Sequence, residues 1–268
     1  MGTDEHVEVL RGLQAKIGVD ESDLRCGIHP AGHEPTARAM LLRGEQPTPN
    51  RHNCSGKHTG MLAHARLRHL PITDYLNNDH EIQKTILKTF AEMAGVDPAE
   101  VRVGIDGCSA PTFGVPLRSG ALAYARLADP SGLGEAREKA LRRIYHAMTT
   151  HPMMVAGPGG FDTILMEVGR GKIIAKGGAE GYQGIGLLPG ALGAGSPALG
   201  ITYKIVDGDA AGRARPLVGV EILRQLGALD EEQMQALASF YTRPLYNWRE
   251  IEIGEIRPAF ELKKKVNE

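Results

Sequence analysis

The run Arg51-His-Asn-Cys-Ser-Gly-Lys-His-Thr-Gly60 brings a thiol, a hydroxyl, an amine and two imidazoles together within ten residues. It falls at a predicted helix start. There, unpaired backbone N–H groups and the positive end of the helix dipole lower a thiol pKa and stabilise a developing anion. Three chemistries compete for such a cluster. A phosphate loop ranks lowest, because it needs a glycine where Arg51 stands and a hydroxyl where His58 follows Lys57. A cysteine nucleophile would use His52 or His58 as its base. A metal site would draw on Cys54 and on the distant Cys108, each close to glycine at the end of an element. Free cysteine is more often a small buried hydrophobe. The charged company of these two, Lys57 near Cys54 and Asp106-Gly107 before Cys108, weighs for chemistry instead.

The elements that must position these groups follow from periodicity. Val7, Leu10, Leu13 and Ile17 recur at helical spacing over 6–17, with Gly18 as terminator. Further helices are predicted over 35–42, 60–69 (stopped by Pro71) and 78–93. The alternation in Val101-Arg-Val-Gly-Ile-Asp-Gly-Cys108 suits a short strand with Cys108 at its end. Helices over 115–128 and 134–150 precede a Gly157-Pro-Gly-Gly turn. The last third changes character. Apolar runs at 172–176, 184–188 and 200–206, separated by glycine-rich turns, predict adjacent antiparallel strands, covered by helices over 211–226 and 230–241. The fold class is therefore α/β (α+β): an antiparallel sheet flanked by helices, in a single domain spanning 1–268, helix-rich to 155 and sheet-bearing from 156.

Composition narrows the partners. With 31 Lys+Arg against 32 Asp+Glu, nothing points to nucleic acid or an anionic membrane, and a small neutral or zwitterionic ligand fits better. The three cysteines are too few for a disulfide scaffold. No apolar stretch reaches membrane-spanning length and the first residues are polar and acidic, so the expectation is a soluble, cytoplasmic protein. Arg213-Ala-Arg215 and Lys263-Lys-Lys265 are read as solvated faces, and Tyr203 and Trp248 as packing groups with a polar handle.

Four motifs stand in one order: Asn53-Cys-Ser-Gly-Lys-His58, Asp106-Gly-Cys-Ser-Ala-Pro111, Phe161-Asp-Thr163 and Ala175-Lys-Gly-Gly-Ala-Glu-Gly181. With Cys26-Gly-Ile-His-Pro30 and His33-Glu-Pro-Thr-Ala-Arg38 they resemble, in order and spacing, the rhizobial-type zinc-binding L-asparaginases. The resemblance implies a fold similar to serine β-lactamases and glutaminases, a homodimer, and a zinc ion held by Cys54, Lys57 and Cys108 with a water, Asp106 standing behind them. Lys57 would ligate as the neutral amine, so metal affinity should fall as pH drops. The implied reaction is hydrolysis of the L-asparagine side-chain amide to L-aspartate and ammonia. Lys176 matches the lysine of one of the family's two Ser-Lys pairs, and His58, Gly177 and Glu180 are candidate substrate contacts. Asp162 is a further candidate, for the substrate ammonium or as a helix cap.

The sequence departs from the family in one respect. It contains no S-x-x-K; Ser55-Gly-Lys57 has the wrong spacing, and Thr85-Ile-Leu-Lys88 offers a threonine on a polar helix. The expectation is that the chain starts after the segment bearing the family's serines and some strands of its sheet. Ser55 or a zinc-activated water is then the replacement attacking group. The alternative is a non-catalytic zinc- or amino-acid-binding protein.

Overall fold

A computed structural model describes residues 1–263, so Lys264 and Lys265 of the C-terminal basic run lie outside the described residues. The chain divides into two compact units, Met1–Pro116 and Leu117–Glu268.

The first unit is built on four helices, α1 (Asp4–Ile17), α2 (Glu34–Leu42), α3 (Ser55–Leu67) and α4 (Glu81–Ala94). Thr3 caps α1 by accepting the His6 N–H, and Gly18 closes it at φ 67°, a left-handed conformation that favours glycine. Helix α3 begins at Ser55 rather than Gly60, so the chemistry-bearing run forms its first turn. Its glycines cost helix propensity. Burial of His58, Met61, Leu62 and Ala65 on the inner face offsets that cost. The core joins these side chains to Val19, Leu24, Cys26, Tyr75, Ile82 and Cys108. A two-stranded antiparallel ribbon, β1 (Arg102–Ile105) and β2 (Pro111–Gly114), pairs Ile105 with Pro111, and the turn between them carries Cys108. Strand β2 was not expected.

The second unit centres on β3 (Ile173–Gly178), β4 (Tyr182–Leu187) and β5 (Leu199–Lys204), adjacent and antiparallel with β4 in the middle. Together with the helices, these small antiparallel sheets match the expected mixed class. Helices α5 (Leu117–Ala128), α6 (Glu135–Thr150), α7 (Pro152–Ala156) and α8 (Phe161–Val168) precede the sheet. Helix α5 lies directly on β4 and β5, a covering element that was expected only from later helices. Glycines permit this approach: a Cβ on Gly200 would fall 2.6 Å from the Ala125 nitrogen and closer still to the Ala121 carbonyl oxygen. Gly200→Ala is therefore expected to lower stability by about 1–3 kcal/mol through overpacking, read from the shift of a urea-unfolding midpoint. An unchanged midpoint would mean that α5 can lift off without cost.

Helix α9 (Arg215–Gln225) starts later than predicted. The Asp209 carboxylate accepts the backbone N–H groups of Arg213 (2.8 Å), Ala214 (3.0 Å) and Arg215 (2.8 Å), holding the preceding turn outside the helix. The helix predicted over 230–241 divides into α10 (Glu231–Ala236) and α11 (Ala238–Tyr241) around the fully buried Leu237. Glu221 of α9 is buried and accepts from Arg224 Nε (2.7 Å) and Nη2 (2.9 Å), Gln225 Nε2 (2.6 Å) and the Tyr241 hydroxyl (2.8 Å). The Arg224 fork is the main cause of its pKa falling from 4.5 to about 2. A depressed carboxylate stabilises the fold above its unfolded pKa, and that contribution fades as pH falls from about 4.5 towards 2. Glu221→Ala should cost about 3 kcal/mol at pH 7, and the gap to the parent should shrink when unfolding is measured near pH 3.

A hairpin of β6 (Arg243–Tyr246) and β7 (Glu252–Ile256) ends the described fold. Trp248 in its turn is fully exposed, which corrects its reading as a packing group. Among the described residues no helix is long and apolar enough to cross a membrane.

Candidate functional site

Cys54 immediately precedes α3 at its N-cap position, and its side chain makes no capping hydrogen bond to the helix. Lys57 lies one turn on, so both side chains leave the same face. The facing wall is the turn after β1. Asp106 N–H donates to the Ala110 carbonyl (2.8 Å), Ser109 N–H donates to the Asp106 carbonyl (2.8 Å), and Ser109 adopts φ 68°. That tight turn sends Cys108 inward, where it is 1% exposed, and keeps the Asp106 carboxylate at the rim.

The Cys54 sulfur, an Asp106 oxygen and the Cys108 sulfur all lie within 4.8 Å of one another, a group that could hold a metal ion. Lys57 Nζ donates to Asp106 Oδ2 at 2.9 Å, and the Cys108 thiol donates to the same oxygen at 3.5 Å. The sequence therefore named four groups, Cys54, Lys57, Asp106 and Cys108, that the fold brings together. All three cysteines are free thiols. Burial pushes the Cys54 thiol up to about 11, against the opposing pull of Lys57. For Lys57, burial acts to lower the pKa, but hydrogen bonds with Asp106 and Cys108 outweigh it and hold the amine as an ammonium in the metal-free protein. Its hydrogen bond with Lys57 in turn holds Asp106 below the usual carboxylate range.

His58 and Ser55 behave differently. His58 is 0% exposed, with Nδ1 2.6 Å from the Tyr75 hydroxyl. The same hydroxyl accepts the Arg25 N–H at 2.8 Å. Burial, then the Lys57 charge, lowers the His58 pKa to about 4, leaving the ring neutral at pH 7. Ser55 is 8% exposed and donates its backbone N–H to the His52 carbonyl at 3.0 Å. His52, weighed from the sequence as a base for a cysteine nucleophile, and His29 also lie beside this cluster. The His29 ring lies 4.1 Å from that of His52, His29 Nε2 sits 3.0 Å from Asn53 Oδ1, and His52 Nδ1 accepts the Cys54 N–H at 2.9 Å.

The remaining candidates lie in the second unit. Lys176 is exposed on β3, paired across the ladder with Gly184, and its Nζ donates to the Gly177 carbonyl. Glu180 stands in the turn that follows, at φ 53°. Asp162 caps no helix, since Gly160 occupies the cap of α8. Asp162 is instead 3% exposed beneath β3, accepting the Gly177 N–H (2.5 Å) and Gln183 Nε2 (3.0 Å), with Arg215 Nη1 3.5 Å away. Arg215, read from sequence as part of a solvated face, is thus tied into a buried network.

A family model described as L-asparaginase II matches residues 1–258 of the chain. No curated protein matches it.

Proposed function

We propose, from the premise that the chain belongs to the L-asparaginase II family, that it hydrolyses the side-chain amide of L-asparagine and holds a zinc ion on Cys54, Lys57 and Cys108. The observation that carries the reading is the convergence of two sulfurs from distant segments with Asp106 and Lys57, within a chain matched by that family almost end to end. Two thiolates and an amine form a donor set suited to zinc, and structural or catalytic zinc takes such ligands at a tetrahedral centre. Bound there, zinc would supply Lewis acidity. Asp106, already hydrogen-bonded to Lys57, would orient the ligand amine once it has lost its proton.

The residues of the chain divide the remaining work. Lys176 is the proton-transfer group: a lysine acts as a base only as the neutral amine, and it then returns the proton to the departing ammonia. Glu180 is the counter-charge for the substrate ammonium, and Gly177 leaves backbone within reach of a bound ligand. In the first unit, Ser55 is the candidate attacking hydroxyl beside the metal cluster, and His58, neutral and buried, fixes the first turn of α3 beneath it. Ammonia and L-aspartate released in equal amounts from L-asparagine by metal-replete protein are the expected result. No release would overturn the amidohydrolase reading.

One observation favours a second reading, in which the protein binds metal and amino acid without turnover. Ser55 is 92% withdrawn from solvent, a poor position for an attacking group. Calorimetric binding of L-asparagine without ammonia release would decide for it.

A further inference from the structure

We propose that Arg215 binds the α-carboxylate of the amino-acid substrate beside Lys176. This rests on the reading that Lys176 belongs to an amidohydrolase site.

Arg215 is the first residue of α9 and is fixed at both backbone atoms. Its N–H donates to Asp209 Oδ2 (2.8 Å) and its carbonyl accepts the Tyr203 hydroxyl (2.5 Å). Its side chain is fixed as well. Nη1 donates to Gln183 Oε1, and the guanidinium carbon lies 5.9 Å from the centre of the Phe161 ring. Gln183 is fully buried and cannot turn, because its Nε2 donates to Asp162 Oδ1 at 3.0 Å. The guanidinium is thus held in one orientation while 25% of the side chain remains exposed.

An arginine whose only task was to neutralise Asp162 would form a short charged hydrogen bond with it. Here the separation is 3.5 Å, beyond the normal hydrogen-bond range, and Asp162 is already satisfied by the Gly177 N–H and Gln183. Arg215 Nε and Nη2 have no hydrogen-bond partner among the described residues. These two nitrogens form one edge of the planar fork that matches a carboxylate bidentately.

The position follows from Gly177. A Cβ there would come within 2.9 Å of the Arg215 guanidinium carbon and 3.2 Å of Asp162 Oδ2, so only glycine lets the guanidinium lie against the strand next to Lys176. The charges nearby sort themselves for a zwitterion. Arg215 faces the buried Asp162, Lys176 is the neighbouring residue of β3 with its Nζ donating to the Gly177 carbonyl, Asp209 is occupied by backbone N–H groups at the start of α9, and Glu180 stands in the turn that follows β3. The cations suit the carboxylate of an α-amino acid, and Glu180 suits its ammonium.

The test compares L-asparagine with 3-aminopropanamide, which keeps the amine and amide but lacks the carboxylate, and measures L-aspartate binding by calorimetry. Arg215→Lys keeps the charge and removes the fork. Gly177→Ala keeps the arginine and displaces it. Both variants, shown to be folded by circular dichroism, should raise KM for L-asparagine and Kd for L-aspartate about tenfold or more with a much smaller change in kcat. Both should also narrow the preference for L-asparagine over 3-aminopropanamide. Folded variants that bind L-aspartate as tightly as the parent would overturn the assignment and leave the amidohydrolase reading standing. A parent protein that neither binds nor hydrolyses L-asparagine would overturn both.

Discussion

Lys176→Ala should lower ammonia release from L-asparagine by about 10²–10⁴-fold, the usual contribution of a positioned acid-base group. The lysine is exposed on β3 between the fully buried Ala175 and Gly177, so its removal leaves no cavity and the variant should fold as the parent does. Lys176→Arg sharpens the result. Arginine keeps the positive charge and cannot be deprotonated, so a base is lost while a cation is retained. Both variants are expected to be inactive in the same assay. Activity surviving in Lys176→Arg would reduce Lys176 to an electrostatic contact, and activity surviving in both would remove it from the mechanism.

Cys54→Ser and Cys108→Ser should each abolish retention of one zinc per chain, measured by elemental analysis after dialysis, and with it any thermal stabilisation by added zinc. A ligand present at 1,000 times its Kd contributes about 4 kcal/mol of stability, so the difference in melting temperature is expected to be large. Cys108 sits in the core of the first unit and Cys54 at the start of α3, so a bound metal would tie the β1–β2 turn to the helix. Retention should also depend on pH. The Cys54 thiol, raised to about 11 by burial, and the Lys57 ammonium must both lose protons to ligate, so affinity falls as pH falls. Each proton displaced adds about a tenfold loss per pH unit below the group's own pKa. Zinc held equally well at pH 5 and pH 8 would contradict ligation by these groups.

Much of this arrangement was legible from residue types. Helical periodicity in 6–17 and the three apolar runs in the last third marked α1 and the three-stranded sheet, while the charged neighbours of Cys54 and Cys108 raised a metal site as one of three readings and the family resemblance joined the two cysteines with Lys57 in one ligand set. The parts that escaped prediction depend on contacts remote in sequence. Strands β6 and β7 are exposed along most of their length, so no alternation of buried and solvent faces marks them, and Trp248 projects from their turn. The network of Asp162, Gln183 and Arg215 joins three elements that only the sheet brings together. Its one local trace is Gly177, a glycine inside a strand, the usual sign of a close approach. The depth of His58 was hidden for a related reason. Its partner is the hydroxyl of Tyr75, 17 residues away, and neighbours in the motif gave no sign of it.

The most direct test of the metal centre is cobalt(II) titration of the purified protein, followed by absorption. Thiolate ligation by Cys54 and Cys108 predicts a sulfur-to-cobalt charge-transfer band that saturates at one ion per chain and is lost in either single Cys→Ser variant. Saturation without that band, or a band unaltered by both substitutions, would contradict the account.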